Sequence, residues 1–440
     1  MISTIELGVD FNEEKVRKFL SRPFLEEGRV MKVVRNIVAE VRRKGDEALL
    51  QYTKKFDGVD LEGNIAVRLE EIEKAYTLVD ESFIQAIRLS ADRIRSFHER
   101  QRTDSWFFTE EDGVLLGQLV RPIARVGIYV PGGLASYPST VLMNAIPARV
   151  AGVGEVAMCV PPNSEGGVNP GVLVAAREAG VDEIYKVGGA QAIAALAYGT
   201  ESIKKVDKIT GPGNIYVTLA KKLVVGQVDI DMLAGPSEVV VLADEGADAS
   251  FIAADMLAQA EHAPDAMAVL VTTSDKVADE VKSLLDEQLS EAERREVAKE
   301  SLENNGRIFL LPSMKAALRL VNLIAPEHLE LMVEKPLAML EEIENAGAIF
   351  LGSYTPEAVG DYIAGPSHIL PTGGTARFYS PLGVDDFIKR SSVLFYNEAG
   401  LKKVAEAVRI IAGVEGLEAH AKSLEKRLKG GCDRPSESKS

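Results

Sequence analysis

Two hydrophobic rhythms divide the chain. Over residues 11–103 apolar side chains recur every three or four positions among charged ones, as in VRNIVAEVRRKGDEALLQYTKKF, and this spacing predicts amphipathic helices. From about residue 120 short apolar runs take over: RVGIYV, EVAMCV, EIYKV, EVVVLA, AMAVLVTT, RIFLL and AGAIFLG. They alternate with Ala-rich helical stretches, the pattern of βαβ units and mostly parallel sheets. Many of the runs are followed by Gly or Pro, which puts ligand loops at strand ends, the usual place for sites in such sheets. The charged helical stretch 274–303 requires only a solvated face. Residues 400–428 form a further amphipathic helical block, and the final GGCDRPSESKS has the composition of a disordered tail.

Composition narrows the class. A length of 440 residues predicts two or more domains, and 46% hydrophobic with 26% charged residues is the balance of a globular protein. Fifty Lys and Arg against 66 Asp and Glu leave a net charge of −16, which argues against a nucleic-acid surface and against an anionic lipid surface. No apolar run reaches the roughly 20 residues of a membrane span. MISTIELGVDFNEEKVRKF lacks the basic and apolar regions of a secretory signal, so a cytoplasmic location is expected. The two cysteines, Cys159 and Cys432, are far apart and show no CxxC spacing, which fits a reducing compartment. Cys159, within VAMCVPP, reads as a buried structural thiol.

One near-match to a dinucleotide fingerprint, Gly152-Val-Gly154-Glu-Val-Ala157, stands in an inverted context. A helical stretch precedes it and a strand follows, whereas pyrophosphate binding requires strand, turn and helix in that order. Better candidates for close backbone approach are VPGG (130–133), VGGAQA (187–192) and GPGN (211–214), each after a predicted strand.

Of five histidines, His98 in SFHERQR is expected to be an exposed bystander. His262, His328, His368 and His420 sit among carboxylates and turn residues. Gln259 and His262 are three apart on a predicted helix and share a face, a weak metal signal alone. Asp361 precedes a Gly-Pro turn, and Glu415 lies five residues before His420. Imidazole and carboxylate donors without thiolates suit zinc or manganese better than copper, and no HExxH helix is present. In APEHLE, Pro326 suits the first position of a helix, which would put Glu327 and His328 in its first turn. There the helix dipole would keep His328 neutral, as a proton acceptor, and Glu327 ionised. The alternative, in which Glu327 merely complements the dipole and His328 packs, stays open on the residues alone.

The strings VGIYVPGGLASYPSTVLMNAIPARVAGV, KVGGAQAIAALAYGT, KITGPGNIYV, DMLAGPSEV, LAQAEHAPDA, APEHLEL, GDYIAGPSHILPTGGTARF and EGLEAHAKS, in this order, resemble the histidinol dehydrogenase family from about residue 20 to residue 425. The resemblance implies an α/β fold: two Rossmann-like parallel-sheet domains with an incomplete nucleotide-binding motif, plus small helical N- and C-terminal segments. Its expected division is an N-terminal helical segment, 1–25, and a first α/β domain from 26–128 and 238–378, carrying the Glu-His pair and most zinc ligands. A second α/β domain, 129–237, would carry the NAD loops. Residues 379–428 would swap onto a partner subunit, and 429–440 would be disordered.

The resemblance also implies one zinc ion per subunit, held by Gln259, His262, Asp361 and His420. Substrate contacts would come from Ser237, Gln259, His262, His328, Asp361, His368, Glu415 and His420. NAD contacts would come from Tyr129, Gln191 and Asn214, in the three Gly-rich loops. Glu415 and His420 would reach across an intertwined homodimer. The implied reaction oxidises L-histidinol to L-histidine through the aldehyde with two NAD, the last steps of histidine biosynthesis. His328 would take the hydroxyl proton and Glu327 would activate the hydrating water. Two departures touch only neighbours of ligands: Ala263 where many members carry Asp, and Ser367 where many carry Asn. Competing readings are a dehydrogenase of another amino alcohol or a sulfonate diol on this fold, and a zinc metallohydrolase.

Overall fold

The structure, a computed structural model, describes residues 2–20, 27–110, 113–132 and 136–429. The expected disordered tail, apart from residue 429, lies outside the described residues. The chain divides into two units: the described residues up to Arg102 with Ile123–Phe387, and Thr103–Pro122 with the described residues from Ile388 onward.

The first unit contains two parallel sheets, so the expected α/β class holds. The larger runs in the order Ser3–Glu6, Arg307–Leu310, Met267–Thr272, Glu238–Ala243, His328–Met332, Ala348–Leu351. The smaller runs Glu183–Tyr185, Glu155–Cys159, Arg125–Tyr129, Lys208–Thr210, Asp229–Ile230. Every neighbouring pair in both is parallel. The central strand shows why EVVVLA is continuously apolar. Val239, Val241 and Ala243 face one core with Ile252 and Met256, while Val240 and Leu242 face another with Leu320 and Val321. A strand covered on both faces has no polar side to alternate.

Three expectations need correction. Residues 26–128 are expected in the same domain as 238–378, but their helices pack on the helices that flank the smaller sheet. Glu27–Lys44 packs on Gly189–Tyr198 and Ile215–Val224, Leu69–Tyr76 on Pro170–Glu178, and Glu81–Glu99 on Pro138–Ala151. Periodicity reveals an apolar stripe without naming the surface that will cover it. The segment 1–25 is not wholly helical, because Ser3–Glu6 joins the edge of the larger sheet beside Arg307–Leu310. His98 is buried, not exposed: its Nδ1 donates to the Ile94 carbonyl at 2.8 Å, and burial lowers its pKa.

Gly152 is the left-handed C-cap of the helix Pro138–Ala151, with φ 90°, and the strand Glu155–Cys159 follows. The near-fingerprint therefore leads out of a helix and offers no helix N-terminus to a phosphate. Cys159 is buried and unpaired in a disulfide, and burial pushes its thiol pKa up. Among the described residues, no helix is long and apolar enough to cross a membrane.

The second unit has an antiparallel sheet in the order Ile388–Phe395, Leu115–Pro122, Trp106–Thr109, and two helices, Glu398–Val414 and Glu418–Lys429, packed on each other. It leaves many large apolar side chains in solvent: Trp106, Phe107, Phe108, Leu394, Phe395, Ile410, Ile411 and Val414.

Candidate active site

The expected helix at Pro326 is absent. The helix Met314–Ile324 ends at Ala325, in the left-handed region with φ 52°, and His328–Met332 is a strand. It lies between Glu238–Ala243 and Ala348–Leu351 and pairs with both, so ladder hydrogen bonds on two sides override the local cue of the proline. Glu327 and His328 consequently sit at the N-terminal edge of the larger sheet, not in the field of a helix N-terminus.

Each of two glutamates on these neighbouring strands binds the other's peptide. The Glu238 N–H donates to Glu327 Oε2 at 2.8 Å, and the Glu327 N–H donates to Glu238 Oε1 at 3.2 Å. Glu238 Oε1 also accepts the Gly373 N–H at 3.0 Å. Burial first, then the charge of Glu238, raises the Glu327 pKa well above the usual carboxylate range, with Glu357 and Asp361 adding to it. This reverses the expectation that Glu327 stays ionised.

His328 Nδ1 lies 3.1 Å from the Glu238 carbonyl oxygen. Because a carbonyl only accepts, Nδ1 carries the proton and Nε2 presents a lone pair. That Nε2 is buried without a hydrogen-bond partner, and Asp361 Oδ1 is 4.0 Å away. Burial lowers the His328 pKa, so the ring is neutral as expected, through desolvation rather than a helix dipole.

A second group adjoins it. Gln259 is fully buried in the last turn of Ala249–Ala260, and His262 follows just beyond, exposed, with Nδ1 donating to the Ala258 carbonyl at 3.0 Å. Asp361 lies on the helix Glu357–Tyr362, and Glu357, four residues earlier, shares its face. Ligand atoms of His262, Glu357 and Asp361 all lie within 4.8 Å of one another. Glu357 is a site residue the sequence reading missed; its i, i+4 spacing to Asp361 in EAVGD was the available signal. Its backbone N–H donates to Glu330 Oε1 at 2.9 Å. With the Gln259 amide oriented to satisfy its surroundings, its nitrogen donates to the two Glu357 carboxylate oxygens at 3.1 and 3.0 Å. Burial, then the charge of Asp361, pushes Glu357 up to about 8. Burial and the neighbouring Asp255 push Glu330 up to about 9.

His368 Nδ1 donates to the Asp361 carbonyl at 3.0 Å, and Nε2 lies 3.2 Å from Thr140 Oγ1. Burial lowers its pKa, which keeps it neutral so that Nε2 can accept from the hydroxyl. Ser237, half-buried, immediately precedes the strand Glu238–Ala243. Thus Gln259, His262, Glu327, His328, Asp361 and His368 form one cluster, with Ser237 at its strand edge. Glu415, the C-cap of Glu398–Val414, and His420, in Glu418–Lys429, belong to the second unit and are exposed.

Tyr129, Gln191 and Asn214 occupy the C-terminal edge of the smaller sheet. The Tyr129 hydroxyl accepts the Gly189 N–H at 3.0 Å, and burial pushes its pKa up to about 12. Gln191 is buried in Gly189–Tyr198. Asn214 caps Ile215–Val224, its side chain accepting from the Tyr216 and Val217 N–H groups at 3.0 and 3.2 Å. Gly211, with φ 114°, passes so close to Tyr129 that a Cβ there would lie 2.1 Å from the Tyr129 carbonyl oxygen. Its N–H donates to Asp231 at 2.8 Å and its carbonyl accepts from Lys221 Nζ at 3.0 Å, and Lys221 and Asp231 form a buried ion pair. The Pro131–Gly132 part of the first loop is described; Gly133 lies outside the described residues.

A family model described as histidinol dehydrogenase matches residues 20–428. The chain is 54% identical to the histidinol dehydrogenase of Geobacter metallireducens over 403 residues, 91% of this chain and 92% of that one. It is 55% identical to that of Syntrophotalea carbinolica over 402 residues, 91% of this chain and 93% of the other. The crystal structure of histidinol dehydrogenase from Elizabethkingia anophelis superposes with a TM-score of 0.92 at 38% identity, covering 98% of each chain.

Proposed function

The chain belongs to the histidinol dehydrogenase family, and from that premise we propose that it oxidises L-histidinol to L-histidine in histidine biosynthesis, in two steps through the aldehyde. As a member of an oxidoreductase family it is an oxidoreductase, which displaces the hydrolase alternative. The observation that carries the reading is the buried, unpartnered Nε2 of His328 beside the Glu327 carboxyl and a cation-binding group of donors.

The donors fit a divalent ion such as zinc: one imidazole and two carboxylates converge, and Gln259 adds an amide. His262, Asp361 and Gln259 of this chain would hold it, with His420 from the second unit of a partner subunit. When bound, zinc would grip the substrate's nitrogens, and NAD would accept the hydride in each step. Tyr129, Gln191 and Asn214 are the residues proposed to bind NAD. Ser237, His368, Glu415 and the zinc-binding residues would orient the amino alcohol.

The chain's own contribution is proton transfer. His328 Nε2, unprotonated because Nδ1–H is committed to the Glu238 carbonyl, accepts the hydroxyl proton as hydride leaves. Glu327 is a carboxyl whose elevated pKa makes its ionised form a stronger base than an ordinary carboxylate; once it has released its proton, that form takes a proton from the water that hydrates the aldehyde. His328, after releasing its first proton to water, takes the hydrate's proton as the second hydride departs. The exposed aromatic and aliphatic side chains of the second unit support a homodimer, since a domain that leaves so many apolar groups in solvent has surface to bury on association.

The test is stoichiometric: purified protein, histidinol and NAD, with and without a chelator, counting NADH per histidinol consumed. Two NADH, abolished by the chelator and restored by zinc, is the expected result. One NADH would reduce the reaction to plain alcohol oxidation, and indifference to the chelator would remove the metal.

A further inference from the structure

In a Rossmann sheet with its full motif, an acidic side chain near the end of the second strand hydrogen-bonds the adenosine ribose of NAD. The smaller sheet has no acid there, because Glu155–Cys159 runs on into Val160-Pro161-Pro162. A carboxyl reaches the neighbourhood from another element. Asp57 is the C-cap of the helix Asp46–Phe56, which packs on Gly189–Tyr198. Burial raises the Tyr129 pKa, and the charges of Cys159 and Asp57 add to it, so Asp57 stands near the hydroxyl that accepts the Gly189 N–H. Asp57 is not among the charges that act on His328.

Nothing local requires an acid at this position. Three residues on, Asp60 does the work of a turn aspartate: Oδ1 accepts the Glu62 N–H at 3.1 Å and Oδ2 accepts from Lys54 Nζ at 2.8 Å. Asp57 Oδ2, in contrast, is buried with no hydrogen-bond partner, and among the described residues no cation offsets its charge. Burial accordingly pushes its pKa up to about 6. The residue as a whole is half-buried, and rotation about its last side-chain bond presents either oxygen to the open side. An unpaired buried acceptor is costly, and a ligand that brings hydroxyl donors removes the cost.

We propose that Asp57 accepts hydrogen bonds from the adenosine ribose hydroxyls of NAD and thereby selects NAD over its 2′-phosphorylated form. A carboxylate and a vicinal diol match, two acceptors facing two donors. A phosphate in place of the 2′-hydroxyl brings like charges together and withdraws a donor, so it is rejected on both counts. The inference rests on the NAD reading above.

The measurement is a set of dissociation constants from fluorescence titration of the full chain without histidinol. The probes are NADH, NADPH and NADH lacking the adenosine 2′-hydroxyl. The parent should bind NADH ~100-fold tighter than NADPH. Loss of the 2′-hydroxyl should cost the parent ~10-fold but change binding to Asp57→Ala less than ~2-fold, because the contact is already gone. Asp57→Asn keeps an acceptor and loses the charge, so NADH should stay within ~3-fold of the parent while NADPH binds ~10-fold tighter. An equal cost of the missing hydroxyl in the parent and in Asp57→Ala would overturn the inference, as would an NADPH affinity that neither variant raises. A parent that binds neither NADH nor NADPH would instead remove the NAD reading, and this inference with it. Far-UV circular dichroism on each variant separates loss of the contact from loss of the fold.

Discussion

The two parallel sheets of the first unit present opposite edges, and they treat buried charge in opposite ways. The smaller offers the C-terminal ends of its strands, where Gly-rich turns meet helix starts and a deeply buried ion pair, Lys221 with Asp231, is balanced and locks Gly211 from both sides. The larger offers the N-terminal ends of its strands, where Glu238, Glu327, Glu330 and Glu357 are all buried near His328 and His368. Charge there is in excess, so protons are retained that an open surface would release. Balanced charge builds a rigid backbone cradle; unbalanced acid builds a place for a cation and for proton transfer.

If that contrast is right, substitutions at the two edges should fail in different ways. The largest effect is expected from Glu327→Gln: oxidation of the aldehyde should fall ~10²–10⁴-fold while alcohol oxidation is largely retained, followed as separate half-reactions by stopped-flow. Equal loss in both would erase the division of labour between Glu327 and His328. Next is Lys221→Met, which leaves Asp231 buried without its cation and should lower the unfolding free energy by about 3–5 kcal/mol in urea titrations. Adding Asp231→Leu should recover only part of that loss, because the N–H and carbonyl of Gly211 are then left without their partners; full recovery would mean that the pair only balances charge.

The acidic edge should declare itself through pH. In the metal-free chain Glu357 and Glu330 titrate near about 8 and about 9, against 4.5 for an ordinary glutamate. Between those values the folded state holds protons that the unfolded state has lost, so stability is greatest at low pH and falls as pH rises toward 9. The melting temperature of chelator-treated protein should therefore drop by several degrees from about pH 6 to about pH 8.5, and added zinc should flatten the slope. A rising melting temperature would contradict the acid excess. The smallest effect is expected for Thr140→Val, which removes one hydrogen bond to His368 Nε2 and should raise KM for histidinol ~5-fold, about 1 kcal/mol, with little change in kcat.

The sequence showed the sheets more clearly than the site. The runs VVVLA and AMAVLV are continuously apolar because both faces of their strands are covered. HLELM was obscured by its polar first residues and by Pro326, which favours a helix start only when no sheet claims the next residues. The charges of SFHERQR suggest exposure for His98, but Arg100 is already the C-cap of its helix and Arg102 lies beyond it, so they do not describe the face His98 occupies. Gln259, His262 and Asp361 were linked only through family resemblance, since nothing in their spacing brings position 259 to position 361. Glu357 lies one helical turn before Asp361 on the same face, but a carboxylate pair at that spacing equally describes an ordinary solvated helix, so the sequence does not single it out.

The place of Ser3–Glu6 has a consequence for how the molecule is made. This strand pairs in parallel with Arg307–Leu310, so the earliest strand to leave the ribosome waits for about three hundred further residues before its partner exists. The smaller sheet has all its strands by Ile230 and can close while synthesis continues. The larger sheet is completed only with Ala348–Leu351, and a chain interrupted before His328 would carry the smaller sheet without the Glu327–His328 edge.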